Sequence, residues 1–571
     1  MPAVSGDVFV VPVLDRWLVH APLHHVTALV NRAAVARLKD DHLLPGSGPS
    51  AELYAALTAD PGDVPRPPKG APCPEFLGLI PTRACNLACV YCGFGASESG
   101  PEAMDLDLAV AAVDWMADHV REAGRSTLEV HFFGGEPFCA PDVVDVAVHR
   151  ARARAAEAGL TPRFEVATNG LFDEGRCRFV GDYFDTVVLS LDGPEAVHNR
   201  HRPRKGGRGS YDTVARNARL LAQMPVELCL RICVTQDTVG SLETITHWLC
   251  QTFRPSAIAF ETLQPTPESE AAGLRPPDPW ELAVRCVRAS SLATSLGVTP
   301  VYAAASIEAV RHSFCPVGRD TLIVSPDGRV SACYLPQREW TKRGLDLNLG
   351  QLDGRGRMHL DPAALERVRN LTDSPPRCRH CLARWHCAGG CHVNHAYPEC
   401  PDTYDAFCIQ TRIITACRLL EELGGREAVQ RLLDHRPALE RLALHISDHL
   451  ADWERSSQRS REAGGPCPSP QEKSAPGPRP VASYRCHPEV AWAVESVGLT
   501  LIRRDTGRRL ALGYPEAALW ELLSREVPLP RLTGMMAAIA GLELQAARAW
   551  VTETIGRWVQ GGWLVQGRDD D

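Results

Sequence analysis

No stretch of the 571 residues approaches about 18 uninterrupted apolar positions, so no membrane-spanning helix is expected. The first residues lack a basic stretch followed by an apolar core and a small-residue cleavage site. No secretory signal is therefore expected, and the reading places the protein in the cytoplasm. An excess of positive charge is also missing. The formal net charge is −8 and the sequence pI is near 6.2, which leaves no nucleic-acid footprint over the whole chain. The rest of the composition is that of a soluble globular protein, 44% hydrophobic and 23% charged. The length implies roughly three or four domains. Cysteine departs from this pattern, with 21 residues. In a long chain without a secretory signal, that count excludes a disulfide scaffold and points to metal binding in a reducing compartment.

The first concentration of thiols is Cys85-Asn-Leu-Ala-Cys89-Val-Tyr-Cys92, directly after the apolar run Phe76–Ile80. Three thiolates at C-x3-C-x2-C spacing can bind three irons of a four-iron, four-sulfur cube and leave the fourth iron open. Further apolar runs follow at Leu128–Phe133, Phe164–Ala167, Val187–Leu191, Val226–Val234 and Ile258–Leu263. Amphipathic helical stretches such as Leu106–Glu122, Ala140–Gly159 and Ser210–Gln223 lie between them. Six strand–helix units of this kind predict an α/β fold with a parallel sheet. In a (β/α) barrel the chemistry sits at the C-terminal strand ends. The distinctive segments fall there: the cysteine loop, Phe132-Phe-Gly-Gly-Glu-Pro137, Thr168-Asn-Gly170 and Ser190-Leu-Asp-Gly193. His198 and His201 read as surface residues, and Cys229, Cys233, Cys250, Cys286 and Cys417 as small buried hydrophobes.

The cysteine loop, with Tyr91 before its last cysteine, resembles the signature of the radical S-adenosylmethionine (SAM) superfamily. That resemblance implies a partial (β/α)6 barrel over residues 75–300 and a SAM-binding [4Fe-4S] cluster on Cys85, Cys89 and Cys92. It implies SAM contacts at Tyr91, Gly134, Gly135, Glu136, Asn169, Ser190 and Arg202. The Gly-Gly-Glu segment would grip the amino group, Ser190 the ribose or carboxylate, and Arg202 the carboxylate. Reductive cleavage of SAM to a 5′-deoxyadenosyl radical, which abstracts a substrate hydrogen, would be the activity.

Residues 301–425 carry a second array: Cys315, Cys333, Cys378, Cys381, Cys387, Cys391 and Cys408. Pro326-Asp327-Gly328 reads as the turn of a hairpin within Leu322–Val330, which brings Cys315 and Cys333 together. The array resembles the SPASM extension of radical SAM enzymes. By that resemblance Cys378, Cys381, Cys387 and Cys408 hold an outer [4Fe-4S] cluster, and Cys315, Cys333 and Cys391 an inner one, three clusters in all. Several relatives add an inner cysteine shortly before the Cys315 equivalent. Residues 303–314 contain none, which leaves an open iron or a substitute such as His312.

Residues 1–74 read as an N-terminal extension with short strands at Val8–Val13 and Trp17–His20 and a helix at Ala28–Leu38. Residues 426–480 read as a helix followed by a flexible Pro-, Gly- and Ser-rich linker. Residues 481–571 show three strands and then three helices, the order of a winged helix–turn–helix. This resembles the PqqD-like fold, in which an edge strand pairs with the leader of a ribosomally made precursor peptide. A DNA-binding winged helix is the other reading, but Ala537–Ala547 has no basic residue. The resemblances together imply a precursor-peptide maturase, cross-linking most of all, served by a flavodoxin- or ferredoxin-type electron donor. Two alternatives are an anaerobic sulfatase-maturing enzyme that makes formylglycine and an iron–sulfur redox sensor that binds DNA. The first places an aspartate after the Cys333 equivalent, where this chain has Tyr334, which is read as a candidate carrier of a proton or electron.

Overall fold

The computed structural model describes residues 7–39, 49–94, 103–353, 355–371, 376–395, 404–447 and 484–566. The chain opens with an antiparallel meander, β1 (Phe9–Val13), β2 (Arg16–Ala21) and β3 (Val26–Val30). Strand β3 takes the start of the predicted helix Ala28–Leu38. It pairs with β2 from Val26 to Val30, so ladder pairing overrides local helical spacing and the helix begins at Arg32. The meander packs on the cysteine-rich segment. Asp7 accepts hydrogen bonds from Arg384 (2.7 Å) and Trp385 (3.1 Å). His20 Nε2 lies 3.0 Å from His386 Nε2, and burial first pushes the His20 pKa down to about 3, so the neutral ring is the buried form.

The central sheet contains β4 (Leu77–Leu79), β5 (Thr127–Phe132), β6 (Thr161–Thr168), β7 (Thr186–Ser190), β8 (Glu227–Val234), β9 (Ala257–Thr262) and β10 (Thr299–Val301). All are parallel and lie side by side in chain order. The intervening helices bury an apolar stripe. In Leu106–Glu122, residues Ala109, Ala112, Val113, Met116, Ala117 and Val120 are buried at helical spacing, and Gly124 (φ 66°) follows its end.

The sheet does not end at β4. Strands β11 (Leu322–Val324), β12 (Arg329–Ser331), β13 (Asn348–Leu352) and β14 (Met358–Leu360) extend it to eleven. β11 lies parallel to β4, so the hairpin around Pro326-Asp327-Gly328 is built directly onto the first barrel strand. Further on, the helical stretch predicted from residue 426 is two helices, Arg426–Leu433 and Arg436–Leu444, broken before Pro437. The predicted linker Arg455–Pro480 lies outside the described residues.

The C-terminal part contains β15 (Tyr484–Cys486), β16 (Val490–Glu495), β17 (Gly498–Arg503) and β18 (Arg509–Gly513). Helices Glu516–Ser524, Leu529–Ala540 and Leu544–Gln560 follow, then β19 (Leu564–Gln566). β16, β17 and β18 form an antiparallel sheet, while β15 and β19 pair separately, a ribbon the sequence reading lacked. This unit docks on the barrel helix Pro141–Ala158. Val146 enters its apolar core. His149 Nε2 lies 3.1 Å from Glu521, Arg150 donates to Ile539 O (3.0 Å) and Arg152 donates to Tyr514 (2.7 Å). Asp145 is 1% exposed and pairs with both Arg176 and Arg525.

Candidate functional site

A cavity of about 430 Å³ opens at the C-terminal ends of the parallel strands. Its lining includes Cys85, Cys89, Tyr91 and Cys92 from the loop after β4, Gly134 and Gly135 after β5, and Asn169 after β6. Ser190 ends β7, and Arg202 follows a short helix. The first of these groups is the clearest candidate for a metal, because it presents three soft thiols toward one space.

The two glycines have a packing duty. Gly135 N donates to Thr82 O (3.1 Å), and Glu136 N to Ala84 O (2.8 Å). A Cβ at Gly134 would meet Thr82 O at 2.7 Å, and one at Gly135 would meet Ala84 O at 2.1 Å. Backbone thus lies directly on backbone at the root of the cysteine loop, which only glycine permits.

Glu136 is placed differently from the expectation that it grips a ligand. It is 1% exposed and does not line the cavity. Its carboxylate accepts from Thr168 Oγ1 (2.8 Å), Asn169 N (2.8 Å) and Phe138 N (3.3 Å). Burial pushes its pKa up to about 7 while these donors pull it down. Glu136 therefore ties the β5 turn to the β6 turn. Asn169, held in that way, donates to Asn86 (2.8 Å) and to Cys85 Sγ (3.5 Å).

Asp192, fully buried, anchors the other side. It accepts from Tyr91 Oη (2.5 Å) and Arg202 Nε (3.2 Å), faces His201 Nδ1 (3.3 Å), and accepts from Cys233 N (3.1 Å). Arg202 also lies over the Tyr91 ring and donates to Cys89 Sγ (3.8 Å). The expectation that His198 and His201 are surface residues is corrected: they are 0% and 1% exposed. Their helix packs down on the barrel, so His201 meets Asp192, and His198 meets Ser210 Oγ (3.1 Å).

Burial raises the Asp192 pKa, but Arg202, His201 and Tyr91 outweigh it and hold the carboxyl well below the usual range. Its stabilising contribution is complete above about pH 4 and is lost as the pH falls toward the lowered native value. Urea unfolding of the metal-free chain between pH 3 and 6 is expected to show a steeper acid loss than Asp192→Asn. Parallel curves would contradict this anchoring.

Strand β8 supplies residues the sequence reading missed. Arg231 and Cys233 line the cavity, with Glu261 beside them on β9. Cys233 is thus a cavity thiol rather than a packing hydrophobe. The signal was the alternation in Glu227-Leu-Cys-Leu-Arg-Ile-Cys-Val234, whose Leu228, Leu230, Ile232 and Val234 are buried on the opposite face. Tyr334 does not reach the cavity. Its ring packs on Phe133 (4.9 Å), its hydroxyl points to Gly78, and that oxygen has no hydrogen-bond partner among the described residues.

Cys378, Cys381, Cys387 and Cys408 line one enclosed pocket. His395 Nε2 lies there too, 2.7 Å from Asp405 and 3.8 Å from Cys408 Sγ, and these three residues converge closely enough to hold a metal ion. Cys315, Cys333 and Cys391 form a second group. Burial, then the neighbouring thiols, pushes Cys315 and Cys333 up to about 12. His312 Nε2 is buried without a hydrogen-bond partner among the described residues.

Residues 79–249 match the Radical SAM superfamily. Over 334 residues the chain is 27% identical to the serine-type anaerobic sulfatase-maturating enzyme of Klebsiella aerogenes, covering 55% of this chain and 78% of that protein. Over 149 residues it is 31% identical to the PqqA peptide cyclase of Methylorubrum populi, covering 24% and 33% respectively. Among solved structures it aligns with native anSMEcpe with bound AdoMet and Cp18Cys peptide at 19% identity and a TM-score of 0.49, covering 63% of this chain and 99% of that one. It also aligns with Streptococcus suis SuiB bound to the precursor peptide SuiA at 12% identity and a TM-score of 0.41, covering 70% and 98%.

The family implies SAM and an iron–sulfur cluster, and the residues fit both. Three thiols share one mouth of the cavity, beside a backbone cradle that no Cβ could enter. Burial pushes Cys85 up to about 12 and Cys89 to about 11, so binding a metal must release their protons. Residues 79–249 carry a radical SAM domain, and the chain is an enzyme.

Proposed function

We propose that this enzyme modifies a ribosomally made precursor peptide, with cross-linking as the reaction. The observation that carries the reading is the single cavity where the three loop thiols meet Ser190, Arg202, Arg231 and Glu261. Bound there, the cluster and SAM would supply a 5′-deoxyadenosyl radical able to abstract a substrate hydrogen. Cys85, Cys89 and Cys92 would hold the cluster. Gly134 and Gly135 would present backbone groups to SAM, and Ser190 and Arg202 would contact its ribose and carboxylate. Asp192 fixes the orientation of Arg202 and Tyr91. Arg231 donates to Ser190 Oγ (3.4 Å) and sets its direction. Glu136 holds the Asn169 turn against the loop.

Residues 301–425 would carry two auxiliary clusters, on Cys378, Cys381, Cys387 and Cys408 and on Cys315, Cys333 and Cys391. These would accept the electron that oxidative cross-linking leaves behind. Residues 481–571 would recognise the leader at a sheet edge, and a flavodoxin- or ferredoxin-type protein would donate electrons. Support comes from the relatives whose names denote sulfatase maturation and peptide cyclisation. Formylglycine formation is the second reading, favoured by the longer of those matches. Against it stands Tyr334, whose hydroxyl faces Gly78 instead of the cavity.

The test is anaerobic co-expression with a candidate precursor encoded beside the gene, followed by mass spectrometry. A loss of two hydrogens per site is expected, with fragmentation that locates the bond. Formation of 5′-deoxyadenosine with an unchanged peptide, in light and heavy water alike, would reject that substrate and reopen the formylglycine reading.

A further inference from the structure

A second, larger cavity of about 1130 Å³ lies away from the catalytic one, along the seam between barrel and C-terminal unit. One wall is the helix Leu106–Glu122. The other is the end of Leu529–Ala540 and the start of Leu544–Gln560, with Arg355 and Gly356 at its edge. The seam is preformed, because Arg150 donates to Asp114 on one wall (2.7 Å) and to Ile539 O on the other (3.0 Å), while Asp145 and His149 hold the C-terminal unit to the same barrel helix.

Its lining is acidic and apolar together. Asp105, Asp107, Asp114, Asp118, Glu122 and Glu543 face it, against Arg355 and His119. Asp114 and Asp118 are compensated by Arg150 and Arg154. Asp105, Asp107, Glu122 and Glu543 have no salt bridge among the described residues. Helix stability accounts for only some of these. Asp105 and Glu543 are the N-cap residues of Leu106–Glu122 and Leu544–Gln560, and Asp107 lies in a first turn, so all three suit a helix dipole, but Glu122 at a last turn opposes it. Beside the acids, Leu542 is 38% exposed and Leu544 60% exposed, an apolar pair turned to solvent at the groove.

The groove also has a direction. A helix of 17 residues spans about 25 Å, room for seven or eight extended residues. Its first turn is tied to the root of the cysteine loop, since Met104 N donates to Pro81 O (2.8 Å) and Ala103 bridges Thr82. The Asp105 end therefore lies toward the catalytic rim, and the Glu122 end away from it.

We propose that this groove binds an extended basic segment of the peptide substrate, in which lysine or arginine alternates with leucine-like side chains. The cations pair with Asp105, Asp107, Glu122 and Glu543, and the apolar residues cover Leu542 and Leu544. The segment then leads toward the cysteine loop. This rests on the peptide-modifying reading and adds the chemistry of a docking segment to it.

The test uses the full-length, cluster-loaded enzyme and fluorescein-labelled eight-residue peptides, one alternating Lys and Leu and one alternating Glu and Leu. The basic peptide is expected to bind with a steep salt dependence and the acidic one at least tenfold more weakly. The triple variant Asp107→Lys, Glu122→Lys, Glu543→Lys is expected to weaken basic-peptide binding at least tenfold. A control with the same charge change at exposed sites elsewhere, Glu195→Lys, Glu366→Lys, Glu427→Lys, is expected to bind within twofold of the parent. Leu544→Glu, which keeps the acids, is expected to weaken binding threefold or more. Equal loss in groove and control variants would overturn the proposal, because it would mean general charge attraction; so would equal binding of both peptides. SAM cleavage without peptide is measured in parallel. If 5′-deoxyadenosine forms but the groove variants bind normally, the groove proposal falls and the enzymatic reading stands. If no 5′-deoxyadenosine forms under any condition, the enzymatic reading falls whatever the peptides do.

Discussion

Cys89→Ala is expected to abolish reductive SAM cleavage, by about 10³-fold or more, and to lower iron content by about four atoms per chain. The effect should be this large because the loop has no spare ligand. Cys85, Cys89 and Cys92 share the cavity mouth, and two thiolates cannot hold a cube that needs three. The nearby Cys233 belongs to the rigid strand β8, with its backbone N–H committed to Asp192. It is not free to move into the loop. Cys233→Ala should accordingly retain the iron that Cys89→Ala loses. Anaerobic reconstitution, iron assay and quantification of 5′-deoxyadenosine measure both. Retention of full iron and cleavage activity in Cys89→Ala would remove this loop from the catalytic assignment. The fold itself should survive, since Cys89 contributes little apolar packing and its neighbour Arg202 keeps its ion pair with Asp192.

Asp145→Ala is expected to be the most destabilising single change at the domain seam, by about 3–5 kcal/mol. Asp145 is the shared counter-ion of Arg176 and Arg525, whose side chains are 12% and 14% exposed. Removing it leaves two cations in a desolvated interface with too little negative charge. Arg525 retains Glu521 at 2.6 Å, but among the described residues Arg176 has no carboxylate partner besides Asp145. Docking of the C-terminal unit should suffer first, because the seam is where the charge is stranded. Limited proteolysis is expected to release a fragment near residues 484–566 much faster than in the parent. The double variant Asp145→Ala, Arg525→Met should recover part of the loss, since contacting residues are not additive. An unchanged cleavage pattern and melting curve would show that the pair is energetically neutral. Undocking should also dismantle the acidic groove, so probe binding and proteolytic resistance are expected to fall together.

Local chemistry was legible from the chain alone. The spacing of Cys85, Cys89 and Cys92 is a property of eight consecutive residues, so no folding knowledge was needed to see that one small ion or cluster could take all three. The helix Leu106–Glu122 was legible to its ends because its apolar stripe repeats at 3–4 residues. The six strand–helix repeats likewise implied a parallel sheet, since parallel strands need such crossovers.

Other features depended on residues far apart in sequence. Gly134 and Gly135 read as a ligand cradle, yet the tightest demand on them comes from the carbonyls of Thr82 and Ala84 across the sheet. Glu136 read as a ligand contact, but three donors from the adjoining turns occupy its carboxylate. His198 and His201 sit in a run of charges that reads as solvated, and burial came only when their helix packed over Asp192. Tyr334 follows a candidate ligand in sequence but was turned away by the place its hairpin takes beside β4. The sequence by itself determined which thiols could act together locally and which barrel segments would be helix or strand, because those depend on neighbours within a few residues; the pairing of Val26–Val30 with β2 and the β15–β19 ribbon did not follow from it. Only the tertiary structure decided which polar groups meet the cavity, which are consumed in holding it, and that an acidic groove exists at all, because each of these is a contact between elements that the chain separates by tens to hundreds of residues.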